Sequence, residues 1–295
     1  MKEKIVTRRD FLGAAAGTAM AATLGAGILG EAKAEPTARV VLIRNADVIR
    51  SDGKVRGEIV QTMLDEAVKT LLRTKDSAEA WQQLVKNSDI VGIKSNAWSR
   101  LPTPKELEAA IKRRLLDVGV AERNMAIDDR GVLQNPVFLK ATALINVRPL
   151  RTHHWSGVGT CVKNYVMFVP DPASYHDEAC SALGKIWTYP IVKGKTRLNI
   201  LSVLTSQFYG RGAHFFDSRY VWTYKGLIVG TDPVAVDAIG AQLLQAKRVA
   251  FFGEDRALNV PPTHIMAADK KYGLGISDLN RIQLIKLGWA DESLI

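Results

Sequence analysis

Short apolar runs alternate along this chain with stretches whose apolar positions recur every three or four residues. The runs at 39–43, 89–94, 125–129, 143–147, 198–204, 226–229 and 281–286 have the length and composition of strands. After the first, Ile59, Val60, Met63, Leu64, Ala67, Val68, Leu71 and Leu72 keep a helical period, which predicts a helix over 57–73 with one buried face. A shorter helix is expected over 77–85, capped by Asp76. Thr103, Pro104 and Glu106 spell a capping box with proline at the first helical position, and that helix should run to Val118 and stop at Gly119. Asp232 and Pro233 suit the N-cap and N1 positions of a helix reaching about Ala246. Strand, helix and strand in alternation predict an α/β fold, with mostly parallel sheet layers and helices on both faces. A single domain over 35–295 is expected, with two lobes dividing near its middle.

That middle, residues 148–176, concentrates the chemistry. It holds three of the five histidines. Pro149 is expected to end the preceding strand, since proline has no N–H to give a ladder. The chain would then leave the strand's C-terminal end through Arg151, His153 and His154, and in open α/β sheets ligands bind at that edge. Gly157 and Gly159 at alternate positions could let backbone N–H groups approach an anion, or simply build a turn. Lys163 lies on an apolar turn, where desolvation lowers a lysine's pKa and makes it a base or nucleophile; the competing reading is a surface lysine. His153, His154 and Lys163 are the catalytic candidates, and His153 with His176 the candidate metal ligands. Lys94 and Asn96, at the end of the second strand, are candidate ligand contacts, and so is Asp232, where a helix N-terminus favours anions. Asp128 and Asp129 should point to opposite faces, so one of them orients a neighbour rather than forming a catalytic pair.

The first 34 residues read as an address. Thr7 to Gly13 (TRRDFLG) is a twin-arginine signal, Leu12 to Gly30 is apolar or small, and Ala32-Lys33-Ala34 offers a cleavage site. The expectation is export to the periplasm through the twin-arginine translocase. The glycine string from Gly25 to Gly30 mimics a dinucleotide fingerprint but follows no strand. The net charge is +10, and the segment after Ala34 keeps 35 basic against 27 acidic residues. These charges are interspersed, which argues against a nucleic-acid partner and for a small anionic molecule in a basic cleft. The two cysteines, Cys161 and Cys180, could pair or stay free.

Three motifs resemble those of the domain of unknown function 362 family. Leu144 to His153 (LINVRPLRTH) followed by Gly159 to Asn164 (GTCVKN) is similar to the family's "INVPKLKTH…TGALKN" pattern, which adds Asn164 to the ligand-binding candidates. Thr231 to Asp237 (TDPVAVD) is similar to a second signature and Tyr272 to Gly275 (YGLG) to a third. Many members carry a ferredoxin-like cysteine cluster, but two cysteines cannot supply four thiolates, so no iron–sulfur cluster is expected here. An aspartate that relatives show after the strand at 198–204 is also missing. More remotely, the His153-x9-Lys163 spacing, Val169 to Ser174 (VPDPAS) and His176 resemble the signature of the nickel-pincer lactate racemase. That resemblance implies a cofactor held by Lys163, a transition metal on His176, and proton or hydride transfer beside a carboxylate.

Two readings follow. In one, the protein is a periplasmic enzyme acting on a small anion, racemase-like, with Lys94 and Arg151 positioning the substrate. In the other it is a non-catalytic binding protein, or an accessory factor for an exported metalloenzyme. The residues leave open whether it is an enzyme, and they do not address its oligomeric state.

Overall fold

A computed structural model of the chain describes residues 38–295; the expected twin-arginine signal and its expected cleavage site lie outside the described residues. In chain order the elements are β1 (Ala38–Arg44), α1 (Gly57–Leu72), α2 (Ser77–Leu84), β2 (Val91–Lys94), α3 (Lys105–Asp117), β3 (Met125–Asp128), α4 (Pro136–Lys140), β4 (Ala143–His153), β5 (Gly157–Gly159) and α5 (Cys161–Asn164). They continue with α6 (Leu183–Ile186), β6 (Thr196–Gln207), β7 (Val221–Trp222), β8 (Gly226–Gly230), α7 (Pro233–Phe252), α8 (Thr263–Lys270) and β9 (Ile282–Gly288).

The strands form one sheet in the order β3-β2-β4-β6-β8-β1-β9, with β5 added to β4 and β7 to β6. Pairing is parallel from β3 across to β6 and again between β1 and β9. Along this order β8 opposes its neighbours, antiparallel to both β6 and β1, and the added β5 and β7 are antiparallel to β4 and β6. The mostly parallel α/β fold is therefore as the alternation predicts. The described residues cluster as one unit, and the sheet runs through it without a break at the central stretch, so the two expected lobes are not seen.

Alternation along each strand feeds two cores, because successive side chains point to opposite faces. Val41, Ile43, Val91, Ile93, Ile145, Ile200 and Val229 pack beneath α1, α2 and α3. Val40, Leu42, Leu144, Leu201 and Ile228 meet α5, α7 and α8 on the other face. A parallel strand buried on both sides reads as a continuous apolar run, which is why the strands were legible. Helix α7 is buried from Pro233 to Gly240 without interruption, and it runs past Ala246 to Phe252, where Gly253 takes a φ of +76°. Among the described residues no helix is long and apolar enough to cross a membrane.

Two local expectations are corrected. The Thr103 hydroxyl does not cap α3: it accepts from the Asn96 N–H at 3.1 Å, and the helix begins at Lys105 with no side-chain cap bond. The tertiary contact wins because it satisfies a buried backbone donor. Nor does Pro149 end β4. It faces Ser202 of β6, and the next registered pair is Arg151 with Gln207, so the ladder is already irregular where the N–H is missing. Arg148 and Arg151 consequently lie within a central strand, 2% and 1% exposed, instead of on a loop.

Gly92 shows how tightly β2 is packed. A Cβ there would sit 2.7 Å from Phe138 and 2.9 Å from Leu144. Gly92→Val is expected to destabilise the fold by about 1–3 kcal/mol through overpacking, read as a lower urea midpoint with unchanged slope.

Candidate functional site

The parallel strands deliver their C-terminal ends to one edge: Lys94 from β2, Asp128 and Asp129 after β3, and Arg151 to His153 from β4. Lys94 is fully buried and its ammonium contacts the Asp129 carboxylate at 2.6 Å and the Ser95 carbonyl at 2.7 Å. Burial pulls its pKa down to about 8, with Asp129 opposing. Burial works to raise the Asp129 pKa, but Lys94, the Ala97 N–H and Arg148 together hold it below the usual carboxylate value. Asp128 turns away, accepting from Gly131 N–H and Asn135, so the two neighbours do split as alternation requires.

Behind this pair lies a layer of buried amides. Asn164 donates to the Asn146 side chain at 2.8 Å and the Lys94 carbonyl at 3.1 Å. Asn146 donates to the Cys161 carbonyl and to Asn199, both at 3.0 Å. Arg151 donates to Asn96 and to the Leu101 carbonyl, both at 2.7 Å. Lys94, Asn96, Arg151 and Asn164 are thus brought together, as partners of one another. Such a network fixes geometry only when its members are satisfied, which these largely are.

β4 and β5 form a hairpin whose tip is His154, Trp155 and Ser156, with His153 opposite Gly157 and Arg151 opposite Gly159. Gly157 and Gly159 lie in a strand, and their missing Cβ atoms make room for close neighbours. A Cβ on Gly157 would meet the Val260 carbonyl at 2.3 Å, and one on Gly159 the Arg148 guanidinium at 2.5 Å. The chain then enters α5, whose Cys161 and Val162 N–H groups both donate to the Asp237 carboxylate, at 2.7 and 2.8 Å. Asp237, on the second turn of α7, therefore holds the turn that carries Lys163 and Asn164. Burial pushes its pKa up to about 7, while the Thr160 hydroxyl and those N–H groups lower it. Thr160 also lies 3.1 Å from His264 Nε2, and His264 is fully buried.

Lys163 ends up 3% exposed, and its ammonium has no oxygen or nitrogen partner; the Cys180 thiol is the one polar group beside it. Burial lowers its pKa to about 8, opposed by the neighbouring Cys180 thiol and aided by Arg148. Cys180 reaches this place through an unusual turn: Glu178, Ala179 and Cys180 have φ of 48°, 54° and 65°, a left-handed run costing roughly 1–2 kcal/mol per residue. Cys161 and Cys180 are both free and buried.

Four buried cations, Lys94, Arg148, Arg151 and Lys163, thus face two buried carboxylates, Asp129 and Asp237. Arg148 gives one N–H to the Thr160 carbonyl, yet its Nε is unpartnered, as is the Nε of Arg151. Burial brings the two guanidinium pKa values down to about 10 and about 9. Burial first, and this surplus of positive charge second, keep the surrounding imidazoles neutral. Burial, then Lys163, then Arg148 hold His153 far below its ordinary value. Burial and Lys163 bring His176 to about 4 and His264 to about 3, and burial, His214, Arg211 and Lys163 lower His154.

The rings of this cluster touch in series. His153 stacks on His154 at 4.9 Å, His154 packs on Trp155 at 4.1 Å, and Trp155 on His176 at 4.0 Å. His214, outside the central stretch, meets His154 at 5.1 Å and Trp98 at 4.1 Å. The tautomer of His153 follows from its backbone: Nδ1 accepts the Trp155 N–H at 3.2 Å, so the proton of the neutral ring sits on Nε2. Nε2 then donates and offers no lone pair to a metal. His176 and His153 are joined only through Trp155. Among the described residues no three or more His, Cys, Asp or Glu side chains are arranged to hold a metal ion. The residues present do not fit a histidine-held metal.

Asp232 lies apart from this cluster. Because β8 runs antiparallel, Gly230 pairs with Val40 and Asn199 near the starts of β1 and β6, at the opposite edge of the sheet. Its carboxylate caps α7 through Val234 and Ala235 N–H and also accepts from Ile276 N–H at 2.9 Å, tying in the YGLG turn. Arg148, Asp237, Thr160 and His264 were not among the site candidates of the sequence, whereas Asp129 is the one of the two aspartates that orients a neighbour, Lys94. Asp237 had a signal, its place in the TDPVAVD motif, whereas His264 sits in an ordinary helical stretch. A hollow of about 410 Å³ opens near the exit of the central stretch, bounded by Arg130, Met167, Pro170 and Pro172. A second of about 530 Å³, beside Asp47, Arg50 and Lys225, holds none of these residues.

The family model described as "Domain of unknown function (DUF362)" matches residues 115–242. That match supports the family. It covers Asp129, the β4–β5 hairpin, Lys163 and Asp237, and leaves Lys94 and His264 outside. No curated protein and no solved structure matches the chain.

Asp129→Ala is expected to cost about 3–5 kcal/mol, because it strands a buried ammonium. The double variant Lys94→Met, Asp129→Leu should recover most of that loss, since neither charge remains. Equilibrium denaturation of the two variants beside the parent chain checks both outcomes.

Proposed function

We propose that this chain binds a small organic anion, with the ligand's acidic group on Lys163 beneath the β4–β5 hairpin. One observation carries the reading: a buried ammonium with a thiol but no carboxylate beside it, among three further buried cations and, among the described residues, two buried carboxylates. An unpaired buried charge is costly, and a bound anion removes that cost. The neutral imidazoles support the same reading, because they allow a donor at His153 Nε2 without adding more charge.

The test is thermal unfolding of the full chain with acetate, lactate and phosphate at constant ionic strength. Binding at tenfold above the dissociation constant raises stability by roughly 1.4 kcal/mol. Lys163→Met should abolish the anion-induced shift. It should also raise the stability of the free chain at pH 7 by about 1–3 kcal/mol, by deleting the unpaired charge. The sign with pH follows from the lowered pKa of about 8. Between that value and the ordinary lysine value the unfolded chain binds more protons, so Lys163 makes the free chain more stable as pH rises through this window. The anion-induced shift does the opposite: it is full below about pH 8 and fades above it. A shift that survives Lys163→Met, or that grows with alkalinity, would sink the proposal.

A racemase-like enzyme is the second reading. It is favoured by the buried Nδ1 of His154, which has no hydrogen-bond partner and lies in the ring cluster with His153. A further part of the proposal is place: the twin-arginine stretch at Thr7 to Gly13 supports export to the periplasm by that translocase. Replacing Arg8 and Arg9 with lysine is expected to leave the protein in the cytoplasmic fraction, whereas the parent chain fractionates with the periplasm. Equal periplasmic yield from both would remove the export proposal.

A further inference from the structure

Three exposed arginines, in the segments that follow the C-terminal ends of β2, β3 and β6, are stacked on aromatic rings. Arg130 lies 4.4 Å over Trp98, Arg211 3.9 Å over Phe215 and Arg100 5.5 Å over Phe216. Among the described residues these three guanidinium groups have no hydrogen bond and no ion pair. The acids next to them in sequence are committed elsewhere. Asp217 binds Arg219 at 2.6 Å, Asp129 binds Lys94, and Asp128 accepts from Gly131 N–H and Asn135.

The rings beneath the arginines form one surface. Trp98 meets His214 at 4.1 Å, His214 meets His154 at 5.1 Å, and His154 meets Phe215 at 5.5 Å. The loop after β2, the hairpin tip and the loop after β6 therefore converge, and a β-bridge between His153 and Gly212 ties the last two together. Phe215 is 49% exposed. Arg130 also borders the hollow of about 410 Å³, whose other walls include Leu133, Met167, Val169, Pro170 and Pro172.

A guanidinium stacked on a ring keeps its in-plane N–H fork free, and it loses little freedom when a carboxylate takes that fork. Unpaired arginines beside exposed aromatic side chains have the composition of a protein-binding hot spot. A membrane contact would present protruding apolar groups, whereas the apolar part here is a hollow, which receives a side chain.

We infer that this surface docks an acidic protein segment, with its carboxylates on Arg100, Arg130 and Arg211 and an apolar side chain in the hollow. The inference goes beyond the anion-binding proposal and does not depend on Lys163.

Fluorescence anisotropy of the full chain with two labelled peptides, one alternating glutamate with leucine and one alternating glutamate with serine, reads charge and apolar contact separately. The leucine peptide is expected to bind about tenfold more tightly than the serine peptide, and to weaken with added salt. Arg130→Glu and Arg211→Glu should each weaken it about tenfold. Arg130→Lys and Arg211→Lys, which keep the charge and disturb the fold least, should each weaken it to a smaller degree by losing the stacked fork. Arg113→Glu makes the same charge change on α3, where the side chain is 70% exposed, and should leave binding unaltered. An equal loss in Arg113→Glu would mean attraction by net charge alone and would sink the inference, as would equal affinity for the two peptides. Phosphatidylserine vesicles bound in place of both peptides, and lost in the two glutamate variants, would overturn it in favour of a membrane contact. Failure of both peptides to bind also overturns it but leaves the Lys163 reading standing, because acetate, lactate and phosphate test that reading.

Discussion

The structure around the candidate site is governed by positive charge held out of water. Central parallel strands are covered on both faces, so any charged side chain they carry near their ends is desolvated. Lys94, Arg148 and Arg151 are placed there by β2 and β4, and Lys163 by the turn that follows. The cost of each is met differently. Lys94 has a carboxylate, the two arginines have carbonyls and an amide, and Lys163 has nothing stronger than a thiol. The imidazole pKa values are lowered by burial first and by this field second.

Asp237 makes that arrangement possible. It does not neutralise a cation by direct contact. Instead it accepts the N–H groups of Cys161 and Val162, so α7 fixes the backbone that aims Lys163 and Asn164. Two sequence motifs about 70 residues apart are thereby one structural unit, since Cys161 and Asp237 are separated by 76 positions. Asp232, five residues earlier in the same motif, does comparable work at the other edge, joining α7 to the YGLG turn. The acidic residues of this motif are positioning groups: Asp237 is fully buried and Asp232 half-buried, each held by backbone N–H groups.

The hairpin tip shows how a small change of connection decides chemistry. Had β4 stopped at Pro149, Arg151, His153 and His154 would lie on a mobile connection. Continued past the proline, the strand pairs with β5, and the Trp155 N–H sets the tautomer of His153. A residue that composition suggests as base or metal ligand becomes a hydrogen-bond donor through one backbone contact.

Much of this fold was legible from apolar pattern alone, because strands buried on both faces and helices buried on one leave periodic traces. The site was legible in part: the cluster of His153, His154 and Lys163 was apparent, and so were Lys94, Asn96 and Arg151. What the linear chain could not show was pairing across distance. That Lys94 meets Asp129, that Lys163 meets no carboxylate, and that His264 lies beneath Thr160 depend on strand order and on the packing of α7 and α8. That Asp232 lies at the far edge depends on the reversed direction of β8, which no local pattern encodes. Sequence determined which elements form and which residue types are available, because propensity and periodicity act over neighbouring positions. Tertiary structure decided which charges are paired, because desolvation and Coulomb interaction depend on distance in space.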